Sequence, residues 1–331
     1  MTAIVPSTEV ETIETSAAPI PIILDCDPGH DDAVAILLAI GSPAISLRAV
    51  TTTFGNCSLE DATRNALQVL TLAGARDVPV AAGAAGPLAG TLELGNYVHG
   101  TSGLDGPLLP TPAFRVDPRG ALPLMLDVLA ASDQPVTLVA TGPITNVATL
   151  LRDYPQARPR IRDIVFMGGS TERGNHTPYA EFNAFADPVA LQLVLDSGLP
   201  VTMVGLNLTH QALVTQDVVD RMRAMPHEVG QVAAAWMGFF GASYRKVWDF
   251  TAPPLHDPCT LFHLIEPQSM SYVDSFVAVE TEGAWTRGAT VVDLHSRLGR
   301  AANARVATRI DADRFWEVVL VAVDAAGRSA S

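Results

Sequence analysis

The sequence predicts a single α/β domain built on an open, mostly parallel sheet flanked by helices. Three observations carry that prediction. Apolar, β-rich runs alternate with segments of helical periodicity along most of the 331 residues. Most of these runs end in a polar or glycine-rich loop, as the strands of a parallel sheet do. No repeat, charge run or Pro/Ser-rich linker divides the chain, and 48% hydrophobic residues suffice for one large core.

The first element organises the rest. Residues 21–39 read PIILDCDPGHDDAVAILLA, an apolar strand, a Pro28-Gly29 turn and a helix N-terminus. Four acids, Asp25, Asp27, Asp31 and Asp32, fall inside eight positions. Side chains two apart share a strand face, so Asp25 and Asp27 point one way and Cys26 the other. The turn returns Asp31 and Asp32 to the strand's C-terminal end, where open α/β sheets bind ligands. Acids gathered this closely either take up protons or hold a cation, and an all-oxygen set selects Ca²⁺ or Mg²⁺ over zinc. The simpler alternative, helix-dipole acids beside surface charges, is at odds with so apolar a strand.

A second strand is expected over Ile45–Thr53, then a helix over Leu59–Ala73 with Ser58 as N-cap and Gly74 as stop. A third strand is expected over Val78–Ala82. The Gly/Pro-rich connection that follows, Gly83–Pro112, is long enough to be functional. Helix over Leu122–Ala131, strand over Val136–Ala140 and helix over Ile144–Arg152 continue the alternation. A strand over Ile164–Met167, an irregular stretch over Ser170–Ala186, a helix over Asp187–Ser197 and a strand over Val201–Leu206 come next. From Thr215 the pattern is helical, with a long segment over Glu228–Lys246 and a helix starting near Cys259. The tail reads as strands over Ser275–Glu280, Gly288–Leu294 and Ala304–Thr308, then a helix over Ala312–Ala325.

Composition excludes several classes. A net charge of −14 argues against nucleic-acid and anionic-membrane partners, and no apolar stretch is long enough to span a bilayer. Lys246 is the only lysine, so lysine-dependent catalysis has a single candidate. Cys26, Cys57 and Cys259 give neither a disulfide framework nor a zinc pattern, and read as small buried residues of a cytoplasmic protein. Residues 1–19 lack the basic start and apolar core of a signal peptide and are expected as a loose tail before a domain over 20–331.

Polar clusters are expected at one crevice: the four acids, Asn56, Thr141-Gly142-Pro143-Ile144-Thr145-Asn146, Glu181-Phe182-Asn183, and His256-Asp257-Pro258. With DCDPGHDDAVAILLA, this series resembles the nucleoside hydrolases (inosine-uridine preferring nucleoside N-ribohydrolases) from about Pro21 onward. The resemblance implies a Rossmann-like core and hydrolysis of a ribonucleoside's N-glycosidic bond to ribose and free base. It implies a Ca²⁺ held by Asp27, Asp32 through both oxygens, the Thr141 carbonyl and Asp257, with Asp25 supporting from below. Asp27 takes a proton from the attacking water, which inverts the anomeric centre. Asp31, Asn56, Asn175, Glu181, Asn183 and Asp257 resemble the residues that grip the sugar hydroxyls. His256 resembles the general acid at the leaving base, His99 a second active-site histidine, and Tyr244 an aromatic against the base. The resemblance also implies a homodimer or homotetramer. Phe240, Tyr244 and Trp248 share one helix face that would stack purines and pyrimidines alike, so base preference stays open.

Two other classes have sequence signals of their own. A phosphatase of the haloacid-dehalogenase type also begins with an apolar strand and Asp-x-Asp, but needs a lysine near a strand end. An inactive ribose- or nucleoside-binding protein on the same fold would lack part of the constellation, and none of it is missing.

Overall fold

The computed structural model describes residues 18–248 and 250–330. The expected tail over 1–19 lies outside the described residues, save Ala18 and Pro19. β1 (Ile20–Cys26) feeds α1 (His30–Gly41), followed by β2 (Ile45–Thr52), α2 (Leu59–Leu72) and β3 (Val80–Ala82). Then come α3 (Asn96–His99), α4 (Ala121–Ala131), β4 (Val136–Ala140), α5 (Thr145–Asp153) and β5 (Ile161–Met167). α6 (Phe182–Ala186), α7 (Pro188–Leu195), β6 (Val201–Val204) and α8 (Leu206–Thr209) lead to α9 (Gln216–Arg223) and α10 (Glu228–Trp248). The chain closes with α11 (Pro258–Ile265), β7 (Met270–Ser275), β8 (Val277–Val279), β9 (Thr290–Val292), β10 (Ala304–Ile310) and α12 (Ala312–Ala330).

Eight strands form one sheet in the order β3-β2-β1-β4-β5-β6-β10-β7, with every pair parallel except β10 with β7. The expected open, mostly parallel sheet is therefore present. The chain runs outward from β1 through β2 to β3, then returns to place β4 on the other side of β1. That reversal opens a crevice at the C-terminal ends of β1 and β4. Strand alternation divides the core as the sequence suggests. Ile22, Leu24 and Cys26 pack with α1 and α12, while Ile23 packs with residues of α4 and α5. The three aliphatics from Ile22 to Leu24 are wholly buried, each worth roughly 1.5–3 kcal/mol, which anchors the acids that follow.

Four details differ from expectation. The strand expected to reach Leu206 stops at Val204, because Leu206 and Leu208 bury themselves in a helical turn, α8. The stretch Ser170–Ala186 contains α6, held by the Glu181 side chain as N-cap. Met270–Ser275 is an unanticipated edge strand, whose mostly exposed middle gives no clean alternation. The expected strand Ser275–Glu280 shortens to β8 and pairs only with β9 in a separate ribbon. Among the described residues, no helix is long and apolar enough to cross a membrane.

Candidate active site

Asp27 sits in the turn after β1, and Asp31 and Asp32 occupy the first turn of α1. Gly29, at the N-cap, has no side chain to cap the helix, and Asp32 accepts its N–H at 3.0 Å instead. The same Oδ2 accepts from Asn56 Nδ2 at 3.0 Å, and Oδ1 accepts from the Thr141 hydroxyl at 2.7 Å. One carboxylate thus ties together the ends of β1, β2 and β4. Asp27 Oδ2 accepts the Asn56 N–H at 2.6 Å, while its buried Oδ1 has no hydrogen-bond partner. Two glycines make room for it. A Cβ on Gly55 would lie 1.9 Å from Asp27 Oδ2, and one on Gly142 would lie 2.6 Å from Oδ1.

Asp257, at the N-cap of α11, brings the fifth acid. Carboxylate oxygens of Asp31, Asp32 and Asp257 all lie within 4.8 Å of one another. Asp27, expected as a ligand from the sequence, stands beside this trio, with Oδ2 on the Asn56 N–H and Oδ1 unpartnered. Beneath them, Asp25 Oδ1 accepts from Thr51 Oγ1 at 2.6 Å and Asn146 Nδ2 at 2.8 Å, and its Oδ2 has no partner.

The electrostatics follow from burial. Desolvation pushes Asp25 up to about 7, despite the hydrogen bonds from Thr51 and Asn146. Desolvation, then the neighbouring Asp32, pushes Asp31 up to about 8. Asp27 and Asp257 are driven well above the usual carboxylate range by burial and then by the acids around them. Among the described residues, no arginine or lysine forms an ion pair with any of these five acids. The residues present fit a hard divalent cation: the donors are all oxygen, and Asp27 and Asp31 each keep a buried oxygen without a partner. The Thr141 carbonyl accepts from Asn183 Nδ2 at 2.7 Å and keeps a second lone pair.

Of the residues expected to bind metal or substrate or to act in catalysis, all but Asp25, Asp27 and Asp32 line one cavity above this cluster, and Phe240 lies outside its lining. Glu181 accepts from the N–H groups of Gly169, Asn183 and Ala184 at 2.8–3.0 Å, and burial leads its shift to about 6. Asn183 uses its amide on Thr141 and Met167 carbonyls, which leaves its oxygen for the cavity. Asn175 does the reverse, accepting the Phe182 N–H at 3.0 Å and keeping its NH₂ group.

His256 Nε2 lies 2.6 Å from the Tyr244 hydroxyl, and Nδ1 lies 2.8 Å from Thr209 Oγ1. Burial, with His210 beside it, lowers His256 from 6.5 to about 3. Both ring nitrogens are thus engaged by hydroxyl groups. His99 is likewise held neutral by burial, and its Nδ1 accepts the His30 N–H at 3.2 Å. Phe240, Tyr244 and Trp248 form a ladder with centroids 4.7 and 4.6 Å apart, of which Tyr244 and Trp248 face the cavity. Tyr97, which has no expected role, lines the same cavity, with its hydroxyl 3.2 Å from His176 Nδ1. Its only signal was an aromatic ring in a glycine-rich connection. Thr209 gave none. Lys246 is exposed and outside the cavity, and the three cysteines are buried free thiols.

The model of the inosine-uridine preferring nucleoside hydrolases matches residues 22–317. The chain belongs to that family. This nucleoside hydrolase is 48% identical over 302 residues to the pyrimidine-specific ribonucleoside hydrolase RihA of Enterobacter sp. (strain 638), covering 91% of this chain and 96% of the relative. It is 45% identical over 302 residues to RihA of Escherichia coli O127:H6, covering 91% and 97%. The solved purine-preferring ribonucleoside hydrolase of Gardnerella vaginalis superposes with a TM-score of 0.87 at 30% identity, covering 93% of this chain and 99% of that one. The protein is thus an enzyme that hydrolyses ribonucleosides, acting on N-glycosyl compounds.

Proposed function

We propose that this nucleoside hydrolase is calcium-dependent and pyrimidine-selective, and that it splits the C1′–N bond by direct, inverting attack of water. The observation that carries the reading is the buried Asp31–Asp32–Asp257 trio at a cavity lined by the amides of Asn56, Asn175 and Asn183 and by the rings of Tyr97, Phe182, Tyr244 and Trp248. Selectivity for pyrimidines is supported by the relatives named pyrimidine-specific. A cytoplasmic setting belongs to the same reading, supported by the unpaired thiols.

Asp31, Asp32, Asp257 and the Thr141 carbonyl would hold the ion, with Asp27 beside them. A cation there would supply charge that keeps these acids ionised and would make a nearby water more acidic. Asp27 contributes its unpartnered Oδ1, aimed to take the water's proton. Asn56, Asn175, Glu181 and Asn183 hold the ribose so that the water meets C1′ from the face opposite the base. The surrounding negative charge favours the oxocarbenium-like transition state. As the C1′–N electron pair passes to the base, the hydroxyl of Tyr244 meets the developing negative charge, backed by His256. Water's oxygen ends on C1′, and its two protons end on the sugar hydroxyl and, through Asp27 and solvent, on the base.

The test incubates purified protein with uridine, cytidine, inosine and adenosine, with calcium or with chelator, and follows reducing sugar and free base. Uridine and cytidine are expected to react fastest, and chelator to abolish turnover. Equal rates with chelator, or inosine as the best substrate, would overturn the respective half of the proposal. Proton NMR before mutarotation reads which ribose anomer forms first, and a retained configuration would exclude direct attack.

A further inference from the structure

The hydrogen bonds around His256 assign a task to Thr209, a residue with no counterpart in the sequence-level reading. Thr209, His256 and Tyr244 are all buried and joined in a line, Oγ1 to Nδ1 at 2.8 Å and Nε2 to Oη at 2.6 Å. Two proton arrangements satisfy those distances. In one, Nδ1–H donates to Thr209, and the Tyr244 hydroxyl donates to Nε2. That arrangement leaves the Thr209 O–H buried without an acceptor, because His256 Nδ1 is its one partner among the described residues. It also turns the Tyr244 proton away from the cavity. In the other, the Thr209 O–H donates to Nδ1 and Nε2–H donates to Tyr244 Oη. The one proton of the line without a protein acceptor is then the Tyr244 O–H, which can point into the cavity that its ring lines, whereas the Thr209 hydroxyl, wholly buried and outside the cavity lining, is satisfied by Nδ1.

We propose that Thr209 is a positioning residue that fixes the His256 tautomer, so that Tyr244 presents its proton to the departing base. The proposal rests on the reading of the cavity as a nucleoside site. The fold supports the arrangement, because α8 starts directly after β6 and the Thr209 N–H bonds the Gly205 carbonyl at 3.1 Å, fixing its backbone under the histidine. His256 in turn donates to the phenol oxygen, which makes the phenol proton more acidic as charge develops on the base. Thr209 itself touches no substrate.

The test compares two leaving groups on the full-length protein with calcium present. Uridine needs a proton or hydrogen bond at its base, whereas 4-nitrophenyl β-D-riboside releases a stable phenolate unaided. Thr209→Val is expected to lower kcat on uridine by about 10- to 100-fold with KM within about twofold, and to leave the nitrophenyl riboside within about twofold. Thr209→Ser, which keeps the hydroxyl, is expected to restore most of the uridine rate. Thr209→Ala repeats the comparison without a β-branched replacement should the valine variant melt early. Equal slowing of both substrates, or an unchanged uridine rate in Thr209→Val and Thr209→Ala, would overturn the assignment. A wild-type protein inert on both substrates would instead overturn the reading of the site itself.

Discussion

Removing the divalent ion should make stability fall with rising pH, and the structure sets the size of the effect. Without an ion, burial raises Asp25 from 3.8 to about 7 and Asp31 to about 8. Between the unfolded and folded values the native state binds more protons than the unfolded chain, so each carboxyl lowers stability as pH climbs through that window. For Asp25 alone the movement corresponds to about 4 kcal/mol above pH 7. Asp31 adds to it, less than independently because it shares its surroundings with Asp32 and Asp257. In a domain of this size 4 kcal/mol moves Tm by on the order of 10 °C. Calcium favours the ionised acids and stabilises only the folded state, so it should cancel the loss. Melting curves at pH 5, 6.5 and 8, each with excess chelator and with excess calcium, read the difference directly. The gap in Tm is expected to be small at pH 5 and to widen by about 10 °C by pH 8. A gap independent of pH, or a chelated protein that gains stability toward pH 8, would refute the reasoning.

Three further outcomes follow from the same geometry. Asp27→Asn removes the proton acceptor while keeping the Asn56 contact, and should lower kcat on uridine by about 10²- to 10⁴-fold with KM little changed; steady-state kinetics decides. Gly55→Ala places a methyl group 1.9 Å from Asp27 Oδ2, so a displacement of about an ångström should cost roughly 100-fold in kcat; an unimpaired alanine variant would mean that Asp27 has no fixed place. Trp248→Ala removes one cavity-lining ring, the T-shaped partner of Tyr97 and the indole N–H bonded to the Asn175 carbonyl at 3.3 Å, and should raise KM for uridine by up to about 10-fold in steady-state assays.

Much of this was legible before the structure because it is local. The acids of Asp25–Asp32 follow a strand that only a core could hold, and two-residue periodicity already put Ile22 and Leu24 on one face and Ile23 on the other. The polar groups at Asn56, Thr141 and Asn183 could be gathered because parallel strands align their C-terminal ends. What stayed hidden depends on rotation and on contacts across the chain. That carboxylate oxygens of Asp31, Asp32 and Asp257 come within 4.8 Å of one another depends on side-chain rotation, and no spacing encodes that. Asp187 reads as a helix start and is one, accepting the Ala190 N–H at 3.0 Å. It also accepts from the Leu88 N–H and the Thr145 hydroxyl at 2.8 and 2.7 Å, pinning the long connection to α5. Thr209 belongs to a helical turn of four residues, too short for any period to reveal.

The arrangement also explains how one chain can tolerate so many acids in its interior. Asp31 and Asp32 open α1 and Asp257 stands at the N-cap position of α11, so two helix N-termini, each carrying a partial positive charge, converge on the cluster. Were those dipoles sufficient, the acids would titrate in the ordinary carboxylate range. Burial and the neighbouring acids nevertheless push Asp31 up to about 8 and Asp257 well above its usual range. Since Asp31 and Asp32 come from the start of the domain and Asp257 from near its end, the trio exists only after the sheet and the α1–α11 packing have formed. An ion completing the compensation therefore joins distant parts of the chain, and its binding energy is drawn into folding as well as catalysis. The segment from β1 into α1 should therefore melt with the domain when the ion is withdrawn at high pH.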